Sequence, residues 1–311
     1  MLEPLTWIDG ELRTTLGEEL AGEMLSGASL AYGLAAFEGM LCTVDLQRPR
    51  TCHVRRLGDH LRRLQRSTRA LGWELPFTLA QLEQGVLDLL RRLGRGCYYI
   101  RPLVFSRRSF TEHDQACGPS RVHVAVTCAR FVFLFYLLRM NRRRRATIAR
   151  TFRPPWPPQQ SGAKISGRYL ALLAALAEAQ QQRYDEAILL DVDGCVAEAS
   201  TANLFVVRQQ ALVTPPTTSA LAGVTRACVL DLAAELGLRC EERPLSVEEL
   251  LAADEVFVTN TARGVVAIEE IDGRWQARGQ EQTRRLRQAY INVLTGVDVT
   301  HAAWMTRIEA G

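Results

Sequence analysis

Apolar residues recur along this chain in two rhythms, and the rhythms divide it. Leu57 to Leu71 carries apolar side chains at 57, 61, 64, 70 and 71, and Leu79 to Leu93 carries them at 79, 82, 86, 89, 90 and 93. Spacings of three and four place such side chains on one helical face, so both stretches are predicted as amphipathic helices. Short apolar runs broken by turn residues read differently. Leu5 to Ile8, the Asp9-Gly10 turn and Glu11 to Thr15 predict a β-hairpin, and Cys97 to Phe105 and Arg121 to Ala129 predict strands packed on the two helices. Together these make a first α/β domain of about 130 residues.

The composition then shifts. An apolar run from Phe131 to Leu138 gives way to Arg142-Arg143-Arg144-Arg145 and then to Pro154-Pro155-Trp156-Pro157-Pro158. A connection over residues 133–158 is predicted here, between an N-terminal domain (1–132) and a larger C-terminal one (159–311), with the arginine run as a solvated, flexible loop. Beyond it, Tyr169 to Gln182 has the alanine and leucine content of a long helix. Ala187 to Asp191 and Val196 to Val207 predict strands around an Asp193-Gly194 turn, and Val224 to Leu236 predicts a helix that stops at Gly237. A buried strand over Val256 to Thr259 and a helix over Arg284 to Leu294 complete the layout.

A length of 311 residues fits about two domains. Apolar content of 47% with 23% charged residues is that of a soluble globular protein, and no apolar run reaches the roughly 18 to 20 residues of a membrane span. The start, Met1 to Thr6, lacks the basic and apolar regions of a secretory signal, so a cytoplasmic location is expected, with no membrane partner. Eight cysteines without a C-x-x-C pair argue against a zinc site or a disulfide framework. The net charge of +4 is too mild for a general nucleic-acid footprint. Of the 38 basic residues Lys164 is the only lysine. An arginine head cannot condense with an aldehyde, so the one amine stands where no substitute would serve.

Lys164 and Glu198, the latter within Glu198-Ala199-Ser200-Thr201-Ala202-Asn203, point to pyridoxal phosphate. A lysine amine forms an imine with the cofactor's aldehyde, and a carboxylate beside the pyridine nitrogen keeps it protonated and electron-withdrawing. Gly223-Val224-Thr225 opens a predicted helix, where backbone amides and the helix dipole favour an anion such as the phosphate. Arg101, inside the apolar run Tyr98 to Phe105, is costly to bury without an anionic partner.

Lys164-Ile165-Ser166-Gly167-Arg168-Tyr169-Leu170 resembles the lysine motif of class IV (fold-type IV) pyridoxal-phosphate enzymes, among them branched-chain aminotransferases, D-amino acid aminotransferases and aminodeoxychorismate lyases. The resemblance continues in Tyr32 to Gly39, His60 to Leu64, Tyr99 to Pro102, the Glu198 motif, Leu221 to Arg226 and Thr259 to Ala262, all in the family's order. It implies an α/β (α+β) fold of two domains, with a smaller N-terminal α/β domain and a larger C-terminal pseudo-barrel. It also implies a homodimer in which Tyr32 is donated to the partner's site. By the same resemblance Lys164 is the catalytic base and cofactor anchor, Glu198 faces the pyridine nitrogen, and Tyr169 bonds the phenolic oxygen. Asn203 holds the motif's turn. Arg63, Leu221, Gly223, Val224, Thr225 and Thr261 surround the cofactor and its phosphate. Tyr32, Phe37, Tyr99, Arg101, Thr261 and Ala262 line the substrate pocket, with Arg101 reading the second carboxylate of glutamate.

Three departures bear on the substrate. Leu41 stands where branched-chain enzymes usually carry a basic residue, Arg168 replaces the asparagine of their lysine motif, and Thr259 to Gly264 looks more like the broader class. The expected activity is transfer of an amino group from glutamate or another amino acid to a 2-oxo acid. The alternatives are a lyase of the aminodeoxychorismate type, a D-amino acid or specialised-metabolite transaminase, and a catalytically silent protein binding polyanions through its arginine run.

Overall fold

The computed structural model describes residues 5–14, 29, 32–48, 50–106, 122–149 and 162–309. The fold divides into two compact units, one of Met1–Val132, Ala163–Gly167 and Leu294–Gly311, the other of Phe133–Gly162 and Arg168–Val293. Each has its own sheet and its own core.

The first unit is an eight-stranded sheet covered by the two predicted helices. The hairpin β1 (Thr6–Ile8) and β2 (Glu11–Arg13) forms about the Asp9-Gly10 turn as predicted, as do α1 (Leu57–Ala70) and α2 (Leu79–Leu93). A capping box, Thr78 with Gln81, starts α2. Leu57, Leu61 and Leu64 of α1 and Leu82, Val86, Leu89 and Leu90 of α2 enter one core with Val54, Ile100 and Val124 of the sheet. The central strand β6 (Tyr98–Ser106) pairs with β7 (Val122–Arg130) on one side. On its other side lie β3 (Ala35–Phe37) and β4 (Met40–Val44), which keep one register with it, Phe37 opposite Leu103 and Met40 opposite Ile100. Between them Glu38 N still donates to Pro102 O at 2.9 Å, but the Tyr99 hydroxyl fills the space a side chain at Gly39 would need. Only glycine fits there, and the break at Glu38-Gly39 aims Glu38 away from the ladder.

Two boundaries differ from expectation. The last strand, β17 (Met305–Glu309), pairs antiparallel with β5 (Thr51–Arg55), so the chain's end belongs to the first unit and not to a C-terminal domain of 159–311. The supposed connection of 133–158 begins as α3 (Phe133–Asn141) followed by β8 (Arg144–Ile148), which lies inside the second unit's sheet, parallel to β9 (Glu186–Leu190) and to β15 (Gly264–Ile271). The arginine run is therefore no loose loop. Ala146 and Ile148 turn inward, while Arg142 and Arg144 pair with Asp185 and Arg145 pairs with Glu270. Its proline-rich end lies outside the described residues, as do Cys117, Arg121 and Thr15.

In the second unit the stretch Val196 to Val207 is not one strand. It forms β10 (Val196–Ala199) and β11 (Asn203–Arg208) about a tight turn bridged by Ala199 and Ala202. Three strands and a short helix follow: β12 (Ala211–Thr214), β13 (Arg239–Glu242), α6 (Val247–Leu251) and β14 (Glu255–Asn260), where β14 extends the predicted strand. These strands build a nine-stranded sheet in the order β10-β9-β8-β15-β14-β11-β12-β13, with β16 (Trp275–Gln276) on β15. Three helices match prediction within a turn: α4 (Ser166–Gln181), α5 (Val224–Glu235) and α7 (Glu281–Leu294). Among the described residues no helix is long and apolar enough to cross a membrane.

Candidate active site

Lys164 sits on a short segment stitched to the first unit's sheet. Ile165 bridges to Ala36, Phe37 N donates to Lys164 O at 3.1 Å, Lys164 N donates to Ser67 Oγ at 2.9 Å, and Gly167 N donates to Gly33 O at 2.8 Å. Backbone bonds thus set the lysine's position without using its side chain. Its Nζ lies 4.6 Å from the centre of the Phe37 ring. The same ring takes the Arg101 guanidinium at 4.9 Å, and Arg101 Nη2 donates to the Tyr99 hydroxyl at 3.2 Å. Lys164, Phe37, Tyr99 and Arg101 are therefore brought together, and the Phe37 ring that the two cations share is itself buried. Among the described residues no carboxylate pairs with Arg101. Burial pushes the Tyr99 hydroxyl above its ordinary pKa against the opposing charge of Arg101, so it remains a neutral donor. Tyr32 is 63% exposed.

The first unit also holds a buried cluster whose pairing the sequence did not reveal, although Arg63 within it is one of the expected cofactor residues. Glu38, His60 and Arg63 are all closed to solvent. Arg63 donates through Nε to Glu38 Oε1 at 2.6 Å and through Nη2 to Oε2 at 2.8 Å, and His60 Nδ1 lies 2.8 Å from Oε2. Burial alone would push the Glu38 carboxyl up, but the charge and hydrogen bonds of Arg63, and then those of His60, hold it well below the carboxylate range. An ionised carboxylate only accepts, so Nδ1 carries the imidazole proton. The clues in the sequence were Arg63 and the motifs Tyr32 to Gly39 and His60 to Leu64, none of which shows that Glu38 is the partner of both side chains.

In the second unit Glu198 is buried at the end of β10, where a register shift between Val196 and Glu198 turns the strand. Its Oε2 accepts the Leu221 N–H at 3.0 Å and its Oε1 accepts Arg168 Nη2. Asn203 donates through Nδ2 to Leu221 O at 2.7 Å, so its side chain ties the start of β11 to the segment before α5. Glu198, Asn203, Leu221 and Gly223 form one interlocked group. The turn at Ser200-Thr201 is anchored by the buried Glu186, which accepts Ser200 N at 3.2 Å and Arg263 Nη1 at 2.8 Å. Asn260 Nδ2 in turn donates to Thr201 O at 2.9 Å. That places the turn of Thr261 and Ala262 next to the Glu198 motif's own turn. Thr261 O also accepts the Tyr136 hydroxyl at 3.2 Å, and Ala262 is exposed. Glu186 and Arg263 are further anchors that sequence reasoning did not identify.

Gly223 is the N-cap of α5, and the helical ladder starts with Ala227 N donating to Gly223 O at 3.0 Å. The amides of Val224, Thr225 and Arg226 lie ahead of that ladder, at the end of the helix that favours an anion. A Cβ at Gly223 would overlap Asn203 Oδ1. Gly223→Ala should therefore cost about 1–3 kcal/mol by overpacking. Urea unfolding would read that loss, and an unchanged midpoint would mean that Asn203 can give way. Tyr169, half-buried, packs against Leu172 and Ala175 on α4. Taken unit by unit, the donors suit a phosphorylated pyridine aldehyde: the first unit carries the amine of Lys164, and the second carries the buried carboxylate of Glu198 and a 12-residue helix opening on glycine and threonine.

Comparison with known proteins agrees with this chemistry. A family model described as amino-transferase class IV matches residues 35–271. The chain is 31% identical to the branched-chain-amino-acid aminotransferase of Escherichia coli (strain K12), covering 97% of both. It is 30% identical to that of Pseudomonas aeruginosa, again over 97% of both. Among solved structures it is similar to the branched-chain aminotransferase of Thermoproteus uzoniensis with norvaline, at a TM-score of 0.87, 33% identity, and coverage of 98% of this chain and 99% of that one. The T.th. branched-chain amino acid aminotransferase complexed with N-(5'-phosphopyridoxyl)-L-glutamate gives a TM-score of 0.85 at 29% identity, with coverage of 98% and 99%.

Proposed function

The chain belongs to the class IV aminotransferases, and on that premise we propose that it moves an amino group from L-glutamate to a 2-oxo acid with a branched apolar side chain, using pyridoxal phosphate. The fold is that of the class, and the enzyme is a transaminase acting on amino acid and 2-oxo acid substrates. The observation that carries the finer reading is Lys164, the chain's one amine on a side chain, held over Phe37 beside Arg101 and Tyr99. Bound pyridoxal phosphate would supply a ring that draws electrons from the substrate's α-carbon. Lys164 would hold the aldehyde through Nζ and would serve as the general base that moves the α-carbon proton. Glu198 would hold the ring nitrogen and Tyr169 the phenolic oxygen. Gly223, Val224, Thr225 and Thr261 would hold the phosphate through amides and hydroxyls, with Leu221 as a further cofactor contact. Arg63, whose charge Glu38 already balances, serves as a rigid donor more than as a net charge.

Arg101 lacks an ion-pair partner among the described residues, which suits it to the second carboxylate of glutamate, and the Phe37 ring beneath it suits an apolar side chain in the other half-reaction. Thr261 and Ala262 supply amides for the α-carboxylate. The test is the visible spectrum of the purified protein before and after L-glutamate. The reading expects the cofactor band to bleach with release of 2-oxoglutarate, and branched 2-oxo acids to restore it. A band indifferent to glutamate would favour a lyase or another donor, and no band after supplying cofactor would end the proposal.

The protein is also proposed to act as a homodimer with a cytoplasmic location. Leu134 and Phe135 are each 61% exposed on α3 and Leu138 is 55% exposed, an apolar face of the kind that a partner covers. Tyr32, 63% exposed, is suited to donation to the partner's site. Replacing Phe135 and Leu138 by glutamate should weaken the dimer on the order of 100-fold or more. Light scattering after gel filtration would then find monomers where the unsubstituted protein runs as a dimer, and an unaltered dimer would move the interface elsewhere.

A further inference from the structure

Arg168 is the third residue of α4, and its guanidinium is closed to solvent. A cation in the first turn of a helix meets the positive end of the dipole, and a buried one needs an anion. Glu198 supplies it: Arg168 Nη2 donates to Glu198 Oε1, and the side chains are 4% and 5% exposed. The other oxygen, Oε2, accepts the Leu221 N–H at 3.0 Å. Both carboxylate oxygens are thus engaged by protein donors, one of them permanently charged. A carboxylate has about four lone-pair positions, so a third donor can still approach. What it meets is a pair whose charges cancel. In a buried setting, the attraction a new cation gains from Glu198 is offset by repulsion from Arg168.

We propose that Arg168 is a positioning residue for Glu198 that draws part of its charge away from the cofactor's pyridine nitrogen, so that this chain holds that nitrogen with less proton than a glutamate without an arginine would. The proposal rests on the assignment of Glu198 to the ring nitrogen. Its consequence is a cofactor ring that withdraws electrons more weakly, with the strength set by a residue that does not touch the ring.

The experiment loads the full chain and its Arg168→Gln variant with pyridoxal phosphate carrying 15N in the ring and records the 15N resonance at neutral pH. Glutamine keeps a donor for Oε1 but removes the charge. The expected result is a wild-type resonance between the protonated and unprotonated limits, moved in R168Q toward the shielded, protonated limit. A wild-type nitrogen already at the protonated limit would overturn the proposal without any variant, as would an unmoved resonance in R168Q. A change in packing alone would not move this signal in that direction. A second arm uses the cofactor-free protein and compares the urea midpoints of R168Q, E198Q and the double variant. R168Q alone should lose more than the double variant, because it leaves Glu198 buried without its counter-charge. Additive losses would overturn the pairing. If the wild type holds no cofactor, the assignment of Glu198 falls and takes the proposal with it, and the cofactor-free arm still reports on the pair.

Discussion

Replacing Lys164 by alanine is expected to lower turnover by about 10⁴-fold or more, the scale of a lost general base, with the covalent hold on the cofactor lost as well. The fold should survive. The segment around Lys164 is held by Phe37 N to Lys164 O, by Lys164 N to Ser67 Oγ and by Gly167 N to Gly33 O, and none of these uses the lysine side chain. That side chain is only half-buried, with its amine against the Phe37 ring. Lys164→Arg should be as inactive as the alanine variant, because a guanidinium keeps the charge over Phe37 but cannot condense with an aldehyde. The pair of variants therefore separates charge from chemistry. Steady-state assays with glutamate, the cofactor spectrum after desalting and a melting curve would measure the three effects. Turnover near the unsubstituted rate in either variant would remove Lys164 from the mechanism.

What the sequence disclosed and what it hid divide along physical lines. Elements with a local signal were legible: the apolar stripes of Leu57–Ala70 and Leu79–Leu93 end within a residue of prediction. Lys164 was legible because amine chemistry admits no substitute and the chain has no other lysine. Elements defined by distant partners were not. Arg144–Ile148 reads as a charged linker, since its inward residues are only Ala146 and Ile148 and the acids that balance its arginines, Asp185 and Glu270, lie far along the chain. Met305–Glu309 gives no sign that it crosses back to Thr51–Arg55, because ladder bonds leave no mark on periodicity. The same holds in the site. Arg168 was noted only as an unusual residue, and its pairing with Glu198 emerges from folding.

Glu38 is where that blindness has its largest energetic consequence. Glu38→Gln should destabilise the chain by about 3–5 kcal/mol, the cost of leaving a buried charge without its partner. The substitution keeps the shape but removes the charge that takes both Arg63 bonds, at 2.6 and 2.8 Å, and the His60 proton. A melting midpoint lower by on the order of 10 °C would follow. The double variant Glu38→Gln, Arg63→Met should lose less than Glu38→Gln alone, since it leaves no uncompensated charge. Acid should reveal the same pair. The folded carboxyl sits below its ordinary 4.5, so its contribution is complete above that pH and is lost as the pH falls further. Burial likewise holds the His60 imidazole below its ordinary 6.5, against the pull of Glu38, so the unfolded chain takes up that proton first and stability declines from about pH 6.5 downward. The gap between the unsubstituted protein and Glu38→Gln should therefore be widest near neutrality and narrow below pH 4.5. Urea unfolding across that range would follow it. A constant gap would mean that shape, and not charge, is what Glu38 contributes behind the lysine site.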